Sequence, residues 1–186
     1  MNTASFADQL LIAMPGMNDP NFARSVTYLC EHNADGALGI VVNRPGDVRL
    51  GDLFQDLKLS CTHPKTAAMP IYMGGPIQNE RGFVLHRPIG GWTSTLSVGA
   101  EIGVTTSRDI LDALALGEGP DDALIALGYA GWGAGQLERE ILDNTWLNGP
   151  ADPNILFATP AEQRWQAAAA SLGIDIHRLT GQAGHA

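Results

Sequence analysis

The stretch from Ala123 to Leu147, ALIALGYAGWGAGQLEREILDNTWL, most constrains the fold of this chain. It opens with an apolar run that is typical of a buried strand. Four glycines follow, at positions 128, 131, 133 and 135, so we predict that the backbone there turns sharply or closely approaches another segment. From Gln136 the pattern becomes helical, and the helical wheel groups four apolar residues on one side: Leu137, Ile141, Leu142 and Trp146. The sequence therefore predicts a strand, a glycine-rich turn and a helix on which a pocket can sit.

Composition and charge narrow the class of protein. The chain has 186 residues, 45% of them hydrophobic and 17% charged, which is typical of one globular domain with a sizeable core. Its formal net charge of −9 repels phosphate backbones, so we predict no direct nucleic-acid binding. The N-terminus lacks a signal-peptide pattern, and no apolar run reaches the length of a membrane span. We therefore expect a cytoplasmic protein that does not contact the membrane.

The first half of the chain predicts an antiparallel hairpin. Gln9–Met14 reads as a buried strand, and Ser25–His32 alternates as a second strand. The turn signal Asn33–Gly36 leads into a return strand over Ala37–Asn43.

The rest of the chain mixes strands and helices. Further strands are predicted over 71–73, 82–86, 93–98, 102–105, 155–157 and 174–176, with short helices over 50–57 and from Thr106/Ser107 to about residue 116. A capping box at Thr159 starts a last helix that ends at Gly173. The segment 60–70 reads as a loop. Hairpins that precede alternating strands and helices favour an α+β class, with a mixed and mostly antiparallel sheet, in one or two sheets, and flanking helices.

A series of short motifs runs in order along nearly the whole chain. They are LLIAMP (10–15), SVTYLCEHN (25–33), GALGIVVNRP (36–45), GGP (74–76), RGFVLH (81–86), TTSRDIL (105–111), LGYAGWGAGQLEREILDNTWL (127–147), ILF (155–157) and GHA (184–186). Through these motifs the chain resembles the YqgE/AlgH family of bacterial proteins. The resemblance implies a small single-domain α+β protein of the bacterial cytoplasm, here spanning residues 1–186, and it implies no reaction. Some members carry a regulatory label, through a proposed link to alginate synthesis, but that label implies no DNA-binding fold.

The glycine-rich turn and the GGP loop are the candidate ligand site. The turn lacks the third glycine of the dinucleotide pattern and the Gly-Lys of a P-loop. A tight structural turn is the alternative reading. Trp132 has little local packing inside such a turn, and Glu138 points into the apolar arc of its helix, where a carboxylate needs a partner, a ligand or solvent. The candidate ligand-binding residues are Gly74, Gly75, Arg81, Gly131, Trp132, Gly133, Gln136 and Glu138.

A thiol site is the competing hypothesis. Strand alternation places Cys30 and His32 on one face, where an imidazolium stabilises a thiolate, and His86 is a possible third member. If that face is buried, desolvation makes Cys30 inert and Cys61 the faster thiol. The sequence contains no zinc-ligand spacing and no serine-hydrolase motif, so we predict neither a metal nor a cofactor.

The sequence thus favours a non-enzymatic protein that binds a small molecule or a protein partner and that has a possible regulatory role. A thiol-dependent enzyme or redox sensor using Cys30 with His32 is the first alternative. A transcriptional regulator is the second, which the net charge disfavours.

Overall fold

The computed structural model describes residues 5–183, and side chains up to residue 179. The α+β class with a mixed, mostly antiparallel sheet is confirmed. The strands are β1 (Gln9–Ala13), β2 (Val26–Asn33), β3 (Gly36–Val41), β4 (Pro45–Arg49), β5 (Pro70–Met73), β6 (Ile77–Arg87), β7 (Thr95–Val98), β8 (Ile102–Thr105), β9 (Asp122–Gly133) and β10 (Trp146–Pro150). The helices are α1 (Leu50–Asp56), α2 (Pro64–Ala67), α3 (Asp109–Ala115), α4 (Gln136–Leu142), α5 (Pro153–Phe157), α6 (Arg164–Ala170), which follows a 3-10 turn at Ala161–Gln163, and α7 (Ile176–Ala183).

The strands form one curled sheet. Its order is β10-β1-β2-β3-β9-β6-β8-β7, and β5 joins the first half of β9 in parallel while β4 pairs with β5. The long strand β9 is the centre of the sheet, because it pairs with β3, β5 and β6.

The core lies on both faces of this sheet. The inner face, which holds Tyr28, Leu85 and Ala126, is covered by α5, α6 and α7. The outer face has two separate clusters, one under α1 and α3 and the other under α4. Within the described part of the chain, no helix combines the length and apolar character that a membrane crossing requires.

The predicted hairpin is confirmed, with one irregularity. β2 pairs antiparallel with β3, but the register shifts between Leu29 and Glu31, so Cys30 is an extra residue in a β-bulge. A bulge inverts the alternation beyond it. Cys30 therefore packs in the inner cluster with Tyr28, while His32 pairs with Ala37, which packs against the outer cluster under α4.

The glycine-rich stretch is a strand and not a turn, so that prediction is wrong. β9 continues to Gly133, and only Ala134 and Gly135 turn before α4. The alternative of a close approach is what the structure shows: the GGP loop crosses β9 from the β5 side to the β6 side. A Cβ on Gly75 would lie 2.1 Å from the carbonyl carbon of Tyr129, and one on Gly128 would lie 2.5 Å from the Gly75 oxygen. Two backbones meet here at a distance that side chains would prevent.

Several local predictions are also wrong. Ile155–Phe157 belongs to helix α5, which begins with a proline and is capped by the Asp152 side chain, which accepts from the backbone N–H of Asn154. Residues 174–176 lead into α7, and 64–67 form α2 within the predicted loop. Leu142 is 82% exposed, and Trp146 lies in β10 and not on the helix. The family motif GHA lies outside the described residues.

Both predicted hydroxyl caps are absent from the helix starts. The Thr159 hydroxyl donates to the Asn154 carbonyl, and the 3-10 turn that follows begins after Pro160 with no side-chain cap. The Ser107 hydroxyl donates to the Asp109 carboxylate and accepts from Ser94, and α3 begins only at Asp109.

Candidate functional site

A cavity of about 430 Å³ lies where the GGP loop crosses the sheet, and we call it the crossing cavity. β4 and β5 form one wall, and the GGP loop with Asn79 forms another. Leu127 of β9 contributes to the lining, and Val48 and Met73 line the cavity while 48% and 57% exposed. Ligand sites combine such apolar walls with a few polar groups, and they typically measure about 300–1,000 Å³.

The polar walls of the crossing cavity are fixed by internal hydrogen bonds. The Arg44 guanidinium donates to the carbonyls of Pro20 (2.9 Å), Asn21 (2.5 Å) and Ala23 (2.7 Å). Burial lowers the pKa of Arg44, and the charge of Asp19 opposes that shift. The side-chain amide of Asn79 is oriented with its nitrogen toward two acceptors, and this nitrogen donates to the carbonyls of Gly75 at 3.2 Å and Pro76 at 3.3 Å. These hydrogen bonds hold the polar walls of the cavity in place.

The structure does not bring the predicted ligand residues into one pocket. Gly75 lines the crossing cavity, and Gly74 lies beneath it, where its N–H donates to the Leu127 carbonyl at 2.7 Å. Trp132 is buried and lines a separate depression of about 220 Å³ at the hairpin end, beside Glu31 and Asp35. Gly75 and Trp132 thus line different cavities, and one site shared by all these residues stays a prediction.

The other predicted members of the site have structural contacts. Gly131 opposes Leu38 across the β3–β9 ladder. The Arg81 guanidinium carbon lies 5.1 Å from the Phe83 ring centroid and 5.9 Å from that of Tyr129, which is a cation–π arrangement. The Gly133 N–H donates to the Gln136 side chain at 2.9 Å, and that bond closes the turn before α4.

Glu140 is a polar centre that the sequence reasoning missed. Its carboxylate accepts from the indole N–H groups of Trp132 (3.2 Å) and Trp146 (3.0 Å), and from the Gln136 amide (2.9 Å). The spacing of Gln136 and Glu140 on one helix face was the available signal. This carboxylate joins α4 to β9 and β10 and leaves Trp132 no free N–H for a ligand.

Glu138 has its partner on another element, as a carboxylate on an apolar side requires. Its Oε1 lies 2.5 Å from His32 Nε2, and the Phe6 N–H donates to His32 Nδ1 at 2.9 Å. A backbone N–H can only donate, so Nδ1 is unprotonated and the imidazole is the neutral Nε2–H form. His32 therefore connects the N-terminal segment to α4.

The predicted cluster of Cys30, His32 and His86 does not form. The bulge places Cys30 and His32 on opposite faces of the sheet. Burial, and then the charge of Glu31, raise the pKa of the Cys30 thiol far above its usual range. His86 is buried elsewhere, with Nδ1 2.9 Å from the Pro88 carbonyl and Nε2 2.6 Å from the Thr105 hydroxyl. No group of three or more potential metal ligands occurs among the described residues.

Together the fold and the cavity define a class: a small α+β protein whose curled sheet is crossed by its own backbone beside a preformed, partly apolar cavity. The chain belongs to the AlgH-like family, whose model matches residues 10–177. It is 56% identical to a UPF0301 protein of Nitrosococcus oceani over 181 residues, which is 97% of each chain. It is also 56% identical to one of Thioalkalivibrio sulfidiphilus over 184 residues, 99% of this chain and 98% of that one.

Two solved structures resemble the whole chain. The solution structure of the AlgH protein from Pseudomonas aeruginosa is 50% identical, with a TM-score of 0.79 over all of both chains. A crystal structure of a Corynebacterium diphtheriae protein is 20% identical, with a TM-score of 0.75, and covers 96% of this chain and 92% of that one. The second likeness shows the fold alone.

Proposed function

We propose that this protein is a non-catalytic binding protein whose ligand, a small molecule or part of a protein partner, enters the crossing cavity. The observation that carries the proposal is the cavity itself, with exposed apolar side chains from Val48 and Met73 beside walls fixed by Arg44 and Asn79. Apolar side chains that are exposed to solvent lack the favourable free energy that their burial would release. A ligand that covers it recovers that free energy.

The chemistry of the lining supports binding and not catalysis. Among the described residues that line the crossing cavity, none is a serine, threonine, cysteine, histidine or lysine. Nucleophilic catalysis needs one of these groups, a carboxylate or a tyrosine hydroxyl, within reach of a base. The lining holds one carboxylate, that of Asp47, and one tyrosine, Tyr72, which packs in the inner cluster. The Arg44 guanidinium is already bonded to three carbonyls.

A regulatory role and a cytoplasmic location belong to the same proposal. Both cysteines are free, which suits a reducing compartment. A protein that binds a ligand without reacting with it regulates through which partners it binds. In this proposal, the regulatory signal is the binding of the ligand in the crossing cavity.

Fluorescence of 1-anilinonaphthalene-8-sulfonate, an apolar ring system with an anionic group, tests the proposal. We expect saturable binding at one site to the wild-type protein. The variant Met73→Asp, which places a charge in the cavity, should weaken binding at least about tenfold, by removing the burial of one apolar side chain. Leu116→Asp is the matched control, because Leu116 is 63% exposed and does not line the cavity. Equal binding to both variants would refute the site.

A further inference from the structure

We infer that His32 is a proton-sensitive switch, which holds residues 5–7 against the sheet while its imidazole is neutral and releases them when the imidazole is protonated. We call residues 5–7 the N-terminal strap. The inference is independent of the crossing cavity, because neither His32 nor any residue of the strap lines that cavity.

The strap is held to the sheet by His32. The Phe6 N–H donates to His32 Nδ1 at 2.9 Å, and the Ser5 hydroxyl donates to the His32 carbonyl at 3.3 Å. Among the described residues, no other hydrogen bond joins the strap to the sheet. The Phe6 ring also lies 5.1 Å from the imidazole, centroid to centroid, and packs against the outer cluster under α4. The strap therefore covers both the imidazole and part of an apolar cluster.

The residue that follows the strap is fixed separately. The Asp8 N–H donates to the Leu29 carbonyl at 2.9 Å, and the Asp8 carboxylate accepts from the Tyr28 hydroxyl at 2.7 Å. Neither hydrogen bond involves the imidazole, so Asp8 stays in place when the strap leaves. Release is therefore confined to the strap and does not open β1.

A protonated His32 cannot keep its hydrogen bond to the strap. The neutral ring has its proton on Nε2, which donates to Glu138 Oε1 at 2.5 Å. A second proton, taken from solvent, has only Nδ1 to bind. The new Nδ1–H group then faces the Phe6 N–H, so that two donors meet and no acceptor lies between them. A flip of the ring would give up the hydrogen bond to Glu138, so the strap is the partner that moves.

The charges around His32 favour the uptake of this proton. Glu138 of α4 forms an ion pair with the imidazole once the ring is charged. Glu31 precedes His32 in β2 and projects to the other side of the strand, Ala37 lies opposite in β3, and the strap has no titratable side chain. Burial under Phe6 opposes the charge, and release of the strap admits water to the ring. The charged imidazole is therefore more stable with the strap open than with it closed.

Nuclear magnetic resonance of ¹⁵N-labelled protein between pH 8 and pH 5.5 tests the inference. We expect the ring nitrogens of His32 and the amide of Phe6 to change with one common midpoint. The heteronuclear Overhauser effect at Phe6 and Ala7 should fall as His32 is protonated, because the strap becomes mobile, while the amide of Asp8 stays ordered. A Phe6 amide that is still ordered at pH 5.5, or one that loses order at a different pH from the ring nitrogens, would overturn the inference. Loss of order at Asp8 in the same step would also overturn it.

A pair of matched variants tests the part that Glu138 plays. Glu138→Gln keeps an oxygen that accepts from Nε2 but removes the charge, so we expect the common midpoint to fall by at least about half a pH unit. Glu31→Gln removes a neighbouring charge that does not contact the ring, and it should move the midpoint less. Equal midpoints in the two variants would contradict the exchange of the strap for the ion pair.

Discussion

At the scale of single residues, one inserted residue decides the chemistry of a strand. The alternation of β2 is regular to Leu29, and a sequence reading carries it on to His32. The bulge at Cys30 inverts it, so the thiol enters the inner core and the imidazole faces α4. A bulge has no strong signal in a run of strand-forming residues, and this one was not predictable from the local pattern.

The two thiols should therefore differ in reactivity. Cys30 is 5% exposed and burial raises the pKa of its thiol, whereas Cys61 is half-buried on the surface. The thiolate is the reactive form. In native protein treated with iodoacetamide over a pH series, we expect peptide mass spectrometry to find Cys61 alkylated and Cys30 unmodified. Labelling of Cys30 ahead of Cys61 at pH 6–7 would restore the thiol hypothesis.

The buried His86 should make stability depend on pH. Burial lowers the pKa of His86, and the hydrogen bond to Pro88 opposes the shift only in part. Below about pH 6.5 the unfolded chain binds a proton at this position that the folded chain does not bind. The free energy of unfolding should therefore fall as the pH falls, by at most about 1.4 kcal/mol per pH unit from this group.

Urea unfolding at pH 7.5 and pH 5.5 measures this dependence. His86→Gln is the comparison, since an amide titrates at neither pH and its oxygen can still accept from Thr105. We expect the wild type to lose about 1 kcal/mol more than the variant between the two pH values. Equal losses would mean that folding does not lower the pKa of His86.

At the scale of elements, the glycines of the central stretch allow two chain segments to cross in close contact. Glycine is permissive in turns and weakens strand interiors, so the local pattern predicts breaks in a strand. The alternative prediction, close approach of a second backbone, is right at Gly128, where the Gly75 oxygen approaches. Only the three-dimensional path of the GGP loop distinguishes a turn from a close approach, so the length of β9 could not be predicted from the local sequence.

Other element boundaries were predictable in principle. The hairpin was predicted correctly because turn chemistry and alternation agree there. Helix α5 was mistaken for a strand although its cap, Asp152, and its first residue, Pro153, were visible signals. The crossing cavity itself depends on Val48, Met73 and Asn79, which lie on three separate elements, and no pattern along the chain links them.

Substitutions at two glycines test the crossing. Gly75→Ala places a Cβ 2.1 Å from the Tyr129 carbonyl carbon, at a φ of +154°, and we expect it to lower the free energy of unfolding by roughly 3 kcal/mol or more. Gly82→Ala has room for its Cβ and should change stability by less than about 1 kcal/mol. Chemical denaturation of both variants distinguishes them, and similar stabilities would contradict the crossing.

At the scale of the whole molecule, charge sets which partners the protein meets. A net charge of −9 with eleven basic residues leaves little surface for phosphate contacts. In a mobility-shift assay at physiological salt, we expect only weak binding to duplex DNA that does not depend on sequence. A sequence-specific shift at submicromolar protein would support a direct transcriptional regulator instead.

The central claim is that the crossing cavity is the binding site, and the Met73 methyl group reports on it directly. Nuclear magnetic resonance of protein labelled with ¹³C at the methionine methyl groups follows it during a titration with 1-anilinonaphthalene-8-sulfonate. We expect a saturable shift of the Met73 signal, with contacts between its methyl protons and the rings of the probe, while Met17 under α4 is unchanged. A Met73 signal that does not move, or a uniform shift of all methionine signals, would show that the probe does not bind in the crossing cavity.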